Sequence, residues 1–122
     1  MKTGNYMNIE NGQYIAGEFL GVKTLDKANA DRSKTWQEIY FGISIPVSNG
    51  YNGQSATIDI RLSKDAIQMG EHNKVDNLVG NFVLVPVNVM ARAYQDKAYM
   101  TNFFDNRRRI IQPNEAKLQK VS

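Results

Sequence analysis

The sequence predicts an all-β fold with one short helix, closed as a barrel of five strands. Three observations lead there. Five segments carry period-two alternation or β-branched runs, turns rich in glycine and asparagine separate them, and only residues 63–80 break the strand rhythm. At 122 residues the chain can close one core but cannot hold a cofactor domain beside a substrate domain. The expected organisation is one domain over residues 1–112 and a polar tail over 113–122.

The first strand is expected over Gln13–Leu25, where both faces are partly apolar and Gly17 and Gly21 interrupt the run. Glycines inside a strand mark bulges or barrel corners, so a long, bent strand shared by two sheets explains the pattern. A loop over residues 26–35 follows it. The second strand, Trp36–Val47, sets Ile39, Phe41, Ile43, Ile45 and Val47 on one face, with Trp36, Glu38, Tyr40, Gly42 and Ser44 on the other. The third, Ser55–Leu62, sets Ala56, Ile58, Ile60 and Leu62 opposite Thr57, Asp59 and Arg61. Between them SNGYNGQ reads as a hairpin loop with Tyr51 at its tip. Ser63 before Lys64-Asp65-Ala66 reads as a helix start and Gly70 as its stop, with a second short turn over Val75–Val79. The fourth strand, Phe82–Tyr94, puts Val83, Val85, Val87, Val89 and Ala91 on one face. Pro86 cannot donate to a ladder, so this strand is expected at an edge or a bulge. A tight turn at Gln95-Asp96 leads to the fifth strand, Lys97–Phe104. Three strands, a helical connection and a hairpin follow the order of an OB-fold-like Greek-key barrel, although small SH3-like barrels give similar strings.

Chemistry is sparse. Cysteine is absent and His72 is the one histidine, expected to be a solvated surface group. No Walker loop, GxGxxG or nucleophile elbow occurs, and the acidic residues are scattered. The expectation is a non-enzyme without metal or cofactor. Asp59 is expected to pair with Arg61. The N-terminal segment carries no apolar signal region, and Leu78–Tyr94, the longest apolar stretch, is too polar for a membrane span, so a cytoplasmic protein is expected.

Charge and rings carry more information. Residues 1–60 hold 5 basic and 6 acidic groups, and residues 61–122 hold 10 and 6, so the positive excess lies in the second half. Binding an unpaired nucleic-acid strand needs cations for the phosphates and flat rings for the bases. Trp36, Tyr40 and Tyr94 fall on strand faces opposite the aliphatic stripes, and Tyr51 occupies a loop tip. Lys34, Arg61, Arg92 and the run Arg107, Arg108, Arg109 supply cations near them. The reading that follows is phosphate neutralisation by Arg61, Arg92 and Arg107–Arg109 with stacking on Tyr40, Tyr51 and Tyr94. Trp36 and Tyr40 suit core or site alike, whereas Phe82, Phe103 and Phe104 suit a core or subunit interface better. The strip Phe82, Leu84, Pro86 and Met90 leaves a protein–protein adaptor open as an alternative, and an RNA-binding module is another.

The length, the absence of cysteine, the strand order, the loop SNGYNGQ and the strand FVLVPVNVMARAY together resemble the small single-stranded DNA-binding proteins of filamentous phages, most closely those of Vibrio phages, over residues 10–112. The resemblance implies an OB-type barrel, a homodimer, and cooperative coating of replicating phage DNA in the host bacterial cytoplasm. It also implies that a basic and aromatic hairpin wing falls on Tyr51, Tyr40 and Arg61. The chain departs from the best-known members in a longer first loop, the basic segment after the fifth strand and the tail.

Overall fold

Alternating sequence becomes a closed sheet once every second side chain finds a common interior. The computed structural model describes residues 9–113. Its elements are β1 (Gln13–Ala28), β2 (Thr35–Pro46), β3 (Ser55–Arg61), α1 (Lys64–Gln68), two 3₁₀ turns (Glu71–Asn73 and Asp76–Leu78), β4 (Phe82–Tyr94) and β5 (Lys97–Phe104). The strands close in the order β1-β2-β3-β5-β4. All pairs are antiparallel except β3–β5, which meet in parallel at Arg61 and Phe103. This is the five-stranded OB-like barrel that the element order predicts. The expected tail lies, beyond Pro113, outside the described residues, as does the start of the expected domain before Ile9.

The aliphatic stripes meet inside. Ile39, Phe41, Ile43, Ile60, Val83, Val85, Val87 and Phe104 are buried together with Phe19. Phe41 sits at the centre, edge-on to Phe19 at 5.4 Å and to Phe104 at 5.1 Å, the arrangement that ring quadrupoles favour.

β1 is long, bent and shared, as its glycines suggest. Its first part pairs with β4 and its second with β2, with both partners meeting it at Glu18. A Cβ at Gly17 would lie 2.3 Å from the Ser44 carbonyl oxygen, so only glycine allows that crossing. Between Phe19 and Gly21 the register with β2 slips by one residue, and Gly21 takes φ +123°. The slip is a β-bulge. β1 also runs three residues past the expected end, to Ala28, which reduces the loop to residues 29–34. Asn29 closes that turn, donating to Ser33 Oγ at 2.8 Å and accepting from the Lys34 amide at 3.1 Å. Asn, Asp and Ser side chains that mimic a backbone turn read as loop composition in the sequence.

The helix follows its signals. Ser63 Oγ accepts from the Ala66 amide at 3.1 Å and Gly70 ends the turn at φ 72°. At the hairpin tip both Gln95 (φ 50°) and Asp96 (φ 63°) are left-handed, as a two-residue turn matched to strand twist requires.

The segment after β5 corrects two expectations. It folds back along the side of β4 that β5 leaves unpaired: Leu84 and Ile111 exchange backbone hydrogen bonds of 2.8 and 2.9 Å, and the Asp105 amide donates to the Pro86 carbonyl. Pro86 thus lies at a ladder gap, as its missing N–H demands, but it is fully buried. The strip Phe82–Leu84–Pro86–Met90 is therefore not a continuous exposed surface. Arg108, expected to contact phosphate, turns inward. Its side chain is only 10% exposed. It donates to Asp105 Oδ2 at 2.9 Å, reaches the carbonyls of Asn11, Gln13 and Val87 at 3.4, 3.3 and 3.2 Å, and covers the Tyr14 ring at 4.8 Å. One guanidinium therefore ties the start of β1, the middle of β4 and the closing segment together. Burial raises the Asp105 carboxyl, but bonds from Arg108 and Arg107 outweigh it and hold the group below its ordinary range.

The substitution Arg108→Met leaves the buried Asp105 carboxylate short of its main partner, and such a loss costs about 3 kcal/mol. Urea denaturation at neutral pH is expected to show it, and a change under about 1 kcal/mol contradicts the tethering role. Because the native pKa of Asp105 is depressed, its stabilisation is present above roughly pH 4 and is lost as the pH falls below that.

Candidate nucleic-acid interface

The bulge reverses the sidedness of β1. Before it Phe19 faces the core, while beyond it Val22 is opposite buried Phe41 and Lys23 is opposite Tyr40 on the outer face. Counting along the ladder from the turn at residues 29–34 gives the outward pairs Lys27↔Trp36, Leu25↔Glu38, Lys23↔Tyr40 and Gly21↔Gly42. β3 continues two of these rows with Tyr40↔Arg61 and Gly42↔Asp59. Arg61 is level with Phe103 on β5, and Phe103 with Asn88 on β4. A single row, Lys23–Tyr40–Arg61–Phe103–Asn88, therefore crosses all five strands on the outside of the barrel. Strands lie about 4.8 Å apart, so Lys23 to Phe103 spans roughly 14 Å.

Cations and rings alternate in this row. Lys23 Nζ lies 5.3 Å from the Tyr40 ring centre and the Arg61 guanidinium 5.7 Å from that of Phe103, both within cation–π range. Two carboxylates hold the cations. Asp59 pairs with Lys23 at 2.8 Å, not with Arg61 as expected, and Arg61 reaches Glu38 at 3.4 Å. The Lys23–Asp59 pair is half-exposed, at 48% and 41%, so it contributes little stability and is open to exchange.

Glu38 organises its neighbours. One oxygen accepts from the Tyr40 hydroxyl at 2.5 Å, and the other accepts from Trp36 Nε1 at 3.1 Å while facing Arg61. The Tyr40 bond, followed by those to Trp36 and Arg61, holds the Glu38 carboxyl below its ordinary range despite burial. Burial and the same bond push the Tyr40 phenol up to about 12.

The predicted residues distribute unevenly around this row. Tyr40 and Arg61 lie in it. Trp36, 43% exposed, stands two residues along β2 from Glu38, and Lys34 is exposed in the turn beyond it. Arg92 is exposed on the same outer face of β4, opposite Tyr99. The backbone of Tyr94 ends β4, but its side chain lies outside the described residues. Arg107 is exposed, paired with Asp105 at 3.1 Å, and lines a shallow cleft with Asn88. Arg109 is exposed farther along the closing segment, where it borders clefts with Tyr14 and with Lys74. Tyr51 is 89% exposed but occupies the opposite end of the barrel. Six residues of β2 separate Tyr40 from Pro46, about 20 Å of strand, and the loop lies beyond.

Lys23, Tyr99 and Phe103 are the residues that sequence reasoning missed as site members. Hairpin register, counted back from the Asn29 turn, places Lys23 beside Tyr40. For the adjacent pair Phe103-Phe104 strand alternation admits only one ring to the core, and Phe104 is the buried one. His72, expected to be solvated, is partly buried, and its Nδ1 is sealed without a partner. Among the described residues no group of three metal-ligating side chains occurs and no helix is long and apolar enough to cross a membrane.

The family model described as "Putative Gamma DNA binding protein", the phage gene-five protein, matches residues 9–111, the whole barrel and its closing segment. The chain belongs to this family. A relative, the gene-five DNA-binding protein of Enterobacteria phage I2-2, is 24% identical over 90 residues, covering 73% of this chain and 79% of its own length. No solved structure matches significantly. The likeness to filamentous-phage single-stranded DNA-binding proteins that the sequence suggests is thereby borne out, and this member of the gene-five family is a DNA-binding protein.

The Glu38 bond makes a spectroscopic prediction. Alkaline titration followed by tyrosinate absorbance is expected to resolve one phenol at about 12, and Tyr40→Phe removes that step. Persistence of the step in Tyr40→Phe contradicts the assignment. Since the native state retains this proton, stability falls as the pH rises from about 10.

Proposed function

We propose that this protein coats replicating phage DNA as a sequence-nonspecific single-strand binder in the host bacterial cytoplasm. The observation that carries the reading is the outer row of alternating cations and rings across the whole barrel. Bases stack on Tyr40, Phe103 and Trp36, while phosphates exchange for Asp59 and Glu38 on Lys23 and Arg61. Lys27 and Lys34 extend the path toward the β1–β2 tip, and Arg92 with Tyr99 extends it along β4–β5. Arg107 meets the strand beside Asn88. Stacking and phosphate contacts accept any base, which accounts for coating without sequence preference. A duplex hides its base faces, so the same row favours unpaired DNA.

A homodimer completes the reading. Past the barrel, the β4–β5 hairpin carries the core-facing side of its strands into solvent, with Val89 36% and Met100 73% exposed. Ala91 and Ala98 are exposed on that same side. A second copy of the hairpin is a matching apolar cover.

Titrating oligo-dT into the protein while following Trp36 fluorescence tests the proposal. The affinity is expected to fall with salt, with a log–log slope steeper than about −2 for several neutralised phosphates. Tyr40→Ala and Phe103→Ala each weaken binding by about tenfold or more, whereas Tyr51→Ala stays within about twofold. A slope near zero, or equal affinity for duplex DNA, contradicts the reading.

A further inference from the structure

One row along from Tyr40 the outer face has no side chains on two neighbouring strands. Gly42 in β2 is paired with Gly21 in β1 on one side and with Asp59 in β3 on the other. The two glycines differ in origin. Gly21 sits in the bulge with φ +123°, a conformation that favours glycine. Gly42 has no such need. It lies mid-strand without a positive φ, and a Cβ added there would meet Leu20 at 3.5 and 3.8 Å and Thr57 at 3.9 Å, all ordinary contacts. Gly17, where a Cβ would collide with backbone at 2.3 Å, shows what a fold-imposed glycine looks like.

Glycine weakens a strand interior, and where packing does not demand it, it marks close approach of a ligand or another backbone. Around Gly42, Leu20 rises from the bulge with 44% exposure on one side. Tyr40 stands on the other, its hydroxyl drawn toward Glu38 and away from Gly42. The half-exposed Lys23–Asp59 pair runs alongside. The result is a bare backbone floor with an aliphatic wall, an aromatic wall and a cation at its edge.

We infer that the Gly21–Gly42 floor, between Leu20 and Tyr40, is a nucleobase-docking subsite of the bound strand. A base enters it flat, at a depth that any side chain at position 42 prevents, while Lys23 releases Asp59 to take the adjoining phosphate. The floor offers apolar and backbone surface, so it accepts purines and pyrimidines alike. The inference rests on the single-strand reading above and deepens it.

The test compares wild type, Gly42→Ala, Gly42→Val and Tyr40→Ala as full chains, in oligo-dT titrations and thermal melts. Gly42→Val is expected to melt at or above wild type, because a β-branched residue suits a strand, and to bind oligo-dT about tenfold or more weakly. Its salt slope stays that of wild type, since no phosphate contact is removed. Gly42→Ala gives a smaller loss in the same direction. If both Gly42 variants bind within about twofold of wild type while Tyr40→Ala weakens binding, the floor is refuted and the single-strand reading survives. If none of the three variants weakens binding, the reading itself fails and the inference with it. Should valine lower the melting temperature, the alanine variant decides by the same affinity criterion.

Discussion

One inserted residue in β1 determines which side of the barrel can meet DNA. Up to Phe19, odd-numbered side chains face inward, and without the bulge Lys23 would follow them into the core. The slip between Phe19 and Gly21 turns Lys23 outward and Val22 inward opposite the buried Phe41. The same bulge leaves Leu20 on the outer surface and Gly21 bare beside Gly42. The aliphatic order of the interior and the cationic order of the exterior are thus set by a single irregularity, which is why β-bulges near functional surfaces are structural features and not defects.

The rings divide by the same period-two logic. Phe19, Phe41 and Phe104 stack edge-on within, and Tyr40 and Phe103, each adjacent in sequence to one of them, lie outside. A strong core and an aromatic exterior can therefore share strands without competing for space. Glu38 then imposes order outside: by holding Trp36, Tyr40 and Arg61 at once it fixes rings and cation before any ligand arrives, so less freedom is lost on binding. Arg108 does comparable work at the closing segment, where it keeps the 105–111 strip on β4.

Much of this is legible in the residues. The alternation in β2, β3 and β4, the Ser63 cap, the SNGYNGQ hairpin and the tight Gln95-Asp96 turn each correspond to an observed element. The long, bent first strand follows from Gly17 and Gly21. Single-strand patterning does not give cross-strand register, so nothing in it sets Lys23 beside Tyr40. For the same reason Asp59 reads as the partner of its strand-mate Arg61, although Lys23 reaches it from two strands away. Nor does composition tell an arginine that binds outward from one that closes a fold. Arg107, Arg108 and Arg109 look alike in sequence, and only the buried Asp105 carboxylate and three converging carbonyls single out Arg108.

The central claim is that an unpaired strand lies along the row Lys23–Tyr40–Arg61–Phe103. Photo-crosslinking to an oligonucleotide carrying 5-iododeoxyuridine, with adducts mapped by peptide fragmentation, tests it most directly. The account predicts adducts on Tyr40 and Phe103, with Trp36 as a further site, and none on the buried Phe41 or Phe104. Adducts confined to Tyr51 or Tyr14, with the row unmodified, would contradict it.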